Sequence, residues 1–154
     1  MAAAADERPL PVIEPVPVEA ELRALLAACE LPVDDVRADR RLEFFGCRED
    51  GRLVAVVGLE PAGEAFLLRS LAVTAEARGR GLARRLVAFA EHLVAARDVR
   101  SLYLLTTTAA DFFRRLGYVD LERERAPRPV RASEQFSRLC PGDAALLAKS
   151  LDPG

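Results

Sequence analysis

The sequence predicts an α/β domain built on a mixed β-sheet of about six to seven strands, with helices on both faces. Three observations predict it. Phe66–Val73 is apolar on both faces apart from Arg69 and Ser70, as a central strand covered on each side is. From Leu82 the apolar residues fall at 82, 86, 89, 90, 93 and 94, the stripe of an amphipathic helix. Between them, Thr74–Gly81 breaks the apolar run with Gly79 and Gly81 and the charges Glu76, Arg78 and Arg80. A strand that feeds a Gly-rich turn opening a helix presents unpaired backbone N–H groups and a positive dipole end. Together they form an anion cradle.

The other elements follow in chain order. Residues 1–10 read as a disordered tail, because Met1–Ala5 is followed by Asp6 and Glu7 and lacks the basic start and long apolar run of a signal peptide. Residues 11–154 read as a single domain, long enough to bury roughly 70% of its unfolded surface. Pro11–Val18 has the prolines and branched residues of an edge strand. Glu19–Glu30 is helical by period, with Leu22, Leu25, Leu26 and Cys29 on one face, and Leu31-Pro32 ends it. Val33–Arg41 is polar and acidic, a loop or one short helix. Leu42–Arg48 and Leu53–Glu60 are strands joined at Asp50-Gly51, a strong hairpin signal. Pro61-Ala62-Gly63 turns the chain into the central strand.

Beyond the long helix, Arg100–Thr106 is a further strand and Ala109–Leu116 a short helix stopped by Gly117. Tyr118–Arg125 alternates apolar and charged residues like a strand exposed on one side. Pro127 and Pro129 break that pattern, Ser133 caps a turn of helix, and Ala144–Leu151 closes the sheet.

Composition limits the function classes. The net charge is −2 and no long basic run exists, which argues against nucleic acid as a partner. No apolar run approaches the ~20 residues of a membrane span. Cys29, Cys47 and Cys140 are scattered without a C-x-x-C pair, a usage that suits the reducing cytoplasm. A thiolate metal site requires them to converge in the fold, and none is expected. His92, the only histidine, lies off the helix's core stripe and reads as a surface residue.

The anion remains to be chosen. Arg78-x-x-Gly81-x-Ala83 lacks the third glycine of the dinucleotide fingerprint and the Gly-Lys-Ser/Thr of a P-loop. After a strand ending Leu71-Ala72-Val73, it resembles motif A of the GNAT N-acetyltransferases, whose loop holds the pyrophosphate of acetyl-CoA. Thr106–Tyr118 is similar to the second signature of that family, N-x-x-A-x-x-(F/L)-Y-x-x-x-G-(F/Y), through Ala109, Phe112, Gly117 and Tyr118. Thr106 stands for the usual Asn, and its hydroxyl can still bond a pantetheine amide. Phe113 stands for the usual Tyr, the assigned acid for the leaving thiolate, and has no proton to give. The bland reading of both phenylalanines is core packing, stronger for Phe112. Leu68–Val73 with Phe136-x-x-Leu139-Cys140-Pro141 resembles the arsenic-resistance N-acetyltransferases of the ArsN type, and Leu105–Ala109 the acetyltransferase domain of N-acetylglutamate synthases.

The resemblance implies the GNAT acyl-CoA N-acyltransferase fold and transfer of acetyl from acetyl-CoA to a small amine, an amino acid or amino-acid-like, even arsenical, compound. The expected protein is a monomer or homodimer. Acetyl-CoA is expected against Leu71, Ala72, Val73, Arg78, Gly79, Arg80, Gly81, Leu82, Ala83, Arg84, Thr106, Ala109, Phe112 and Phe113. Backbone N–H groups of Leu71 and Val73 serve the thioester carbonyl if the strand bulges there as in the family. Two of Arg80, Arg84 and Arg85 read as a solvated helix start. Glu60 leads as general base, with Glu64 behind it.

Arg69, Ser70 and Thr107 are assigned to the acceptor. Arg69 is placed on one strand face with Leu71 and Val73, where a buried guanidinium must meet a partner. The partner is either a nearby acid, such as Glu43 or Glu60, or the carboxylate of an amino-acid substrate. The missing Tyr supports a second hypothesis, a degenerate domain that binds CoA or a metabolite and regulates a partner.

Overall fold

A computed structural model of the chain describes residues 9–38, 41–133, 136 and 144–151. Residues 1–8 of the expected tail and Cys140 lie outside the described residues. The strands are β1 (Glu14–Val16), β2 (Glu43–Glu49), β3 (Arg52–Ala62), β4 (Ala65–Val73), β5 (Ser101–Thr106), β6 (Val119–Asp120) and β7 (Ala145–Ser150). They form one seven-stranded sheet in the order β1-β2-β3-β4-β5-β7-β6, so the apolar Phe66–Val73 run does occupy the centre. Pairing is antiparallel everywhere except β4 with β5.

The helices are α1 (Ala20–Ala28), α2 (Leu82–Ala96), α3 (Ala110–Arg115) and α4 (Arg128–Arg131). One face of the sheet packs Phe44, Val56 and Ala72 against Leu22, Leu25 and Leu26 of α1. The same face, further along, packs Leu67, Ala62 and Leu146 against Val130 of α4. On the other face, Phe45, Val57, Leu59, Leu68 and Leu104 meet Leu82, Leu86, Ala90 and Val94 of α2 and Phe113 of α3. The helical stripe read from Leu82 is thus the stripe α2 buries.

Two local devices shape the centre of the sheet. The β2–β3 hairpin turns through Asp50 and Gly51, at φ 52° and 77°, the paired positive values of a two-residue primed turn. The register of β3 against β4 then jumps. Gly58 faces Arg69 and Val56 faces Ala72, so Ser70 and Leu71 together lie opposite Val57. Ser70 takes φ 55°, and the result is a β-bulge in β4.

The bulge overturns one expectation. An extra residue flips the alternation, so Arg69 lies on the α1 face with Ala72, while Leu71 and Val73 pack on the α2 face. The expected turn at Pro61-Ala62 is also shifted, since β3 continues through both and the chain reverses at Gly63-Glu64. Tyr118–Arg125 is a strand only at Val119–Asp120, and Arg123–Arg125 winds into a 3₁₀ turn. Ser133 does cap, its Oγ accepting from the Phe136 N–H at 3.2 Å. No helix among the described residues is long and apolar enough to cross a membrane.

Candidate active site

β4 and β5 pair only at Phe66–Leu102 and Leu67–Tyr103. Beyond them β5 stays with β7 along its whole length. The two parallel strands therefore part toward their C-terminal ends, just where β4 bulges. A cleft opens between them, and in an open sheet this is where ligands bind.

Two cavities line the opening. The outer one, of ≈ 430 Å³, is bounded by Val73, Arg78, Gly79, Gly81, Arg84 and Phe112, among others. The inner one, of ≈ 120 Å³, lies between Leu68–Leu71 of β4 and Leu104–Thr106 of β5, with Leu31, Thr108, Ala109 and Phe113 around it.

The outer cavity has the features of an anion site. Gly79 and Gly81 take φ 82° and 77°, and a Cβ built on either meets nothing within 4 Å. Gly81 is the N-cap of the fifteen-residue helix α2, and no side chain among the described residues caps that end. Its first-turn N–H groups are thus left to a ligand, with the helix dipole adding to them. Arg84 and the exposed Arg78, whose Nε donates to the Val73 carbonyl at 3.1 Å, bring positive charge to the rim. Leu82 also lines the cavity, and its side chain is buried in the core under the sheet.

The other loop arginines are engaged elsewhere. Arg80 pairs with Glu49 at 2.6 Å, and Arg85 donates to the Pro11 carbonyl at 2.9 Å. Of the three arginines at the helix start, Arg84 is the one lining the cavity.

Along the inner cavity, Thr106 Oγ1 accepts from the Ala109 N–H at 2.9 Å, which fixes the start of α3 and leaves the hydroxyl proton to donate. Thr107 is exposed and lines neither cavity, whereas Thr108, not anticipated, lines the inner one. Both phenylalanines border the cleft, Phe112 on the outer cavity and Phe113 on the inner one. Phe112 is half-buried and lines the outer cavity. Phe113 is a core residue packed edge-on against Phe112 and Tyr118, at centroid distances of 5.1 and 5.4 Å. Ala72 presents its side chain to the α1 face and lines neither cleft cavity.

The chain has 2 tyrosines, and neither lines the cleft cavities. Tyr118 is buried with its hydroxyl donated to Glu91 at 3.0 Å. Burial first, and Glu91's charge second, push its phenol far above the usual range. Tyr103 lies at the opposite end of β5, on a separate cavity of ≈ 890 Å³. That cavity also holds Glu64, which removes Glu64 as a reserve base for the cleft.

Arg69 meets the acids of its own chain. Its guanidinium grips Asp35 with two nitrogens, Nη2 at 2.7 Å from Oδ1 and Nη1 on Oδ2. Nη1 also donates to Glu60 Oε1 at 3.0 Å, and Nε to Ser70 Oγ at 3.1 Å. Burial alone would lower the guanidinium's pKa, but Asp35 and then Glu60 reverse it and hold the group above its ordinary value. Glu60 is therefore a partner, as the sequence allowed, while Glu43 pairs with Arg97 at 2.5 Å. Asp35 was missed. The only signal for it was an acidic pair, Asp34-Asp35, beside the apolar Val36.

A central strand thus bulges beside a split in the sheet, with the N-terminal end of α2 at the mouth. Residues 40–120 match the family model of the acetyltransferase (GNAT) domain, over half of the chain, and the chain belongs to that family. An uncharacterized N-acetyltransferase of Chlorobaculum tepidum is 38% identical over 63 residues, a stretch covering 41% of this chain and 40% of the relative.

Among solved structures, N-acetylglutamate synthase from Neisseria gonorrhoeae, complexed with coenzyme A and N-acetyl-glutamate, superposes with TM-score 0.74 at 16% identity. The match covers 92% of this chain and 35% of that one. A Mycobacterium tuberculosis protein in complex with CoA gives TM-score 0.71 at 14% identity over 91% of this chain and 99% of its own. At such identities the likeness is one of fold.

Proposed function

We propose that this chain transfers an acetyl group from acetyl-CoA to the amine of a small molecule by direct attack. The observation that carries the reading is the open Gly79/Gly81 cradle beside the cleft between β4 and β5, with the adjacent Phe112 and Phe113 lining one cavity each. Arg78, Gly79, Gly81, Ala83 and Arg84 would hold the pyrophosphate, and Thr106, Thr108 and Phe112 the pantetheine arm. Acetyl-CoA supplies a thioester whose carbonyl carbon accepts the amine and whose thiolate leaves. Holding both reactants in one cleft is the protein's largest contribution. The backbone of Leu71 and Val73 at the bulge supplies donors for the carbonyl oxygen.

The amine must attack as a free base, and Glu60 takes the proton of the arriving ammonium through water reached past Arg69. Phe113 gives no proton and neither phenol lines the cleft, so water returns one to the thiolate. Amino acids and amino-acid-like amines come first as acceptors, because the gonococcal synthase with this fold carries N-acetyl-glutamate beside CoA. Arg69 is not proposed to hold their carboxylate, since Asp35 fills its fork. The arsenical members of the class follow from the Leu-Arg-Ser-Leu-Ala-Val string and belong in the same screen.

Thiol release from acetyl-CoA, followed with each amino acid and its phosphorus or arsenic analogue, tests the proposal. Turnover with one amine is expected, together with calorimetric CoA binding. CoA binding without turnover for any amine would favour a regulatory domain, and absent CoA binding would end both readings.

A further inference from the structure

We infer that Asp35 is a positioning residue for the transfer site, acting through Arg69 on the Glu60 carboxylate and on the Ser70 bulge. The inference rests on the acetyl-transfer reading for its kinetic arm only.

The cluster is largely buried, with Arg69 and Ser70 bordering the inner cavity. The Arg69 and Asp35 side chains are 1% and 0% exposed, and that of Glu60 is 9%. Two carboxylates, Asp35 and Glu60, bond the one guanidinium. Buried ion pairs contribute little net stability compared with apolar residues of similar volume, so stability is a poor reason for this arrangement.

What the arrangement does is geometric. Arg69 stands opposite Gly58, where a Cβ would lie 3.3 Å from Arg69 Cγ and 2.8 Å from the Phe44 ring, so the sheet makes room for the side chain. Asp35 takes the Nη1/Nη2 edge. Nη1's second proton is thereby aimed at Glu60, and Nε at the hydroxyl of the residue that bulges. Remove Asp35 and the guanidinium can rotate, and both Glu60 and Ser70 lose their fixed partner.

Asp35 is itself anchored. The adjoining Val36 is buried in the α1 core, and its carbonyl accepts from Arg23 Nε at 3.0 Å. On the other side, Cys29 Sγ lies 3.8 Å from the Val73 carbonyl, and Leu31 lines the inner cavity. The segment from α1 to β2 thus touches β4 on either side of the bulge, at Arg69 and at Val73.

The test is a double-mutant cycle of Asp35→Asn and Glu60→Gln. It reads turnover of acetyl-CoA with the best amine of the screen, with CoA affinity measured separately by calorimetry. Asp35→Asn is expected to lower kcat by about 10–100-fold, the scale of a misplaced catalytic group, with CoA affinity unchanged. In the Glu60→Gln background the same change should cost clearly less, because only its effect through the Ser70 bulge remains. Hydrogen exchange gives an arm that needs no turnover. Amides of residues 69–73 should exchange faster in Asp35→Asn, while those of 53–57 do not. If Asp35→Asn does not fold, Asp35→Glu, which keeps the charge but moves the carboxylate, takes its place in both arms.

Losses that multiply across the cycle, or unchanged exchange at 69–73, overturn the inference. Absence of turnover with every amine overturns the acetyl-transfer reading and leaves the exchange arm to decide on Asp35.

Discussion

Replacing Gly81 with Asp separates the phosphate cradle from the fold that carries it. Gly81 sits at φ 77° with open space where a Cβ would go, so the cost to the fold is backbone strain without a clash. A left-handed residue other than glycine costs about 1–2 kcal/mol. At ~2–4 °C per kcal/mol for a chain of this size, Tm should fall by roughly 2–8 °C. The cost to the ligand is larger. A carboxylate about 5 Å from a phosphate charge repels it by about 3 kcal/mol at an effective dielectric near 20. Loss of one charge-assisted N–H contact adds about 1.5–3 kcal/mol. Together these weaken CoA binding by about 10³–10⁴-fold.

Gly51 provides the control, because it has the same φ of 77° and the same empty surroundings but does not line the outer cavity. Gly51→Asp should lower Tm by the same few degrees and leave CoA affinity within about threefold. Calorimetry of CoA against both variants, with scanning calorimetry for Tm, reads both quantities. Unchanged affinity in a folded Gly81→Asp protein would falsify the cradle assignment.

Two further outcomes follow from the aromatic core. Phe113→Tyr adds a phenol beside the inner cavity where the family usually has one; with water already serving the thiolate, kcat should move by less than about threefold, and a rise of about tenfold or more would show that the site wants an acid there. Stability should decline on the alkaline side. Burial and Glu91 raise the Tyr118 phenol, and burial raises the Cys47 thiol against the opposing pull of Arg85. A raised folded pKa means that the stabilisation is whole below the unfolded pKa, about 8.5 for Cys and 10 for Tyr, and is lost as pH rises beyond it. Urea midpoints measured upward from about pH 8 should therefore fall, and Tyr118→Phe should flatten the part of the slope above about pH 10. Equal slopes for the two proteins would mean that Tyr118 takes no part.

Much of this protein is local, and the sequence by itself determined that much. The Asp50-Gly51 hairpin, the apolar central strand, the stripe of α2 and the glycines at its start each depend on residues within a few positions of one another. Turn chemistry and side-chain period suffice to read them. The family followed from the same short stretches.

What depends on distant residues only the tertiary structure decided. One inserted residue at Ser70 reverses which face Arg69 occupies, and nothing in an apolar run marks the register of the strand beside it. Asp35 and Arg69 are thirty-four positions apart, and their union depends on how a loop packs over a bulge. Phe112 and Phe113 face different cavities for a similar reason, since neighbours on a helix point about 100° apart and packing decides which also enters the core. Charge pairing and side-chain direction are properties of the assembled sheet, and there the chain's short-range pattern is silent.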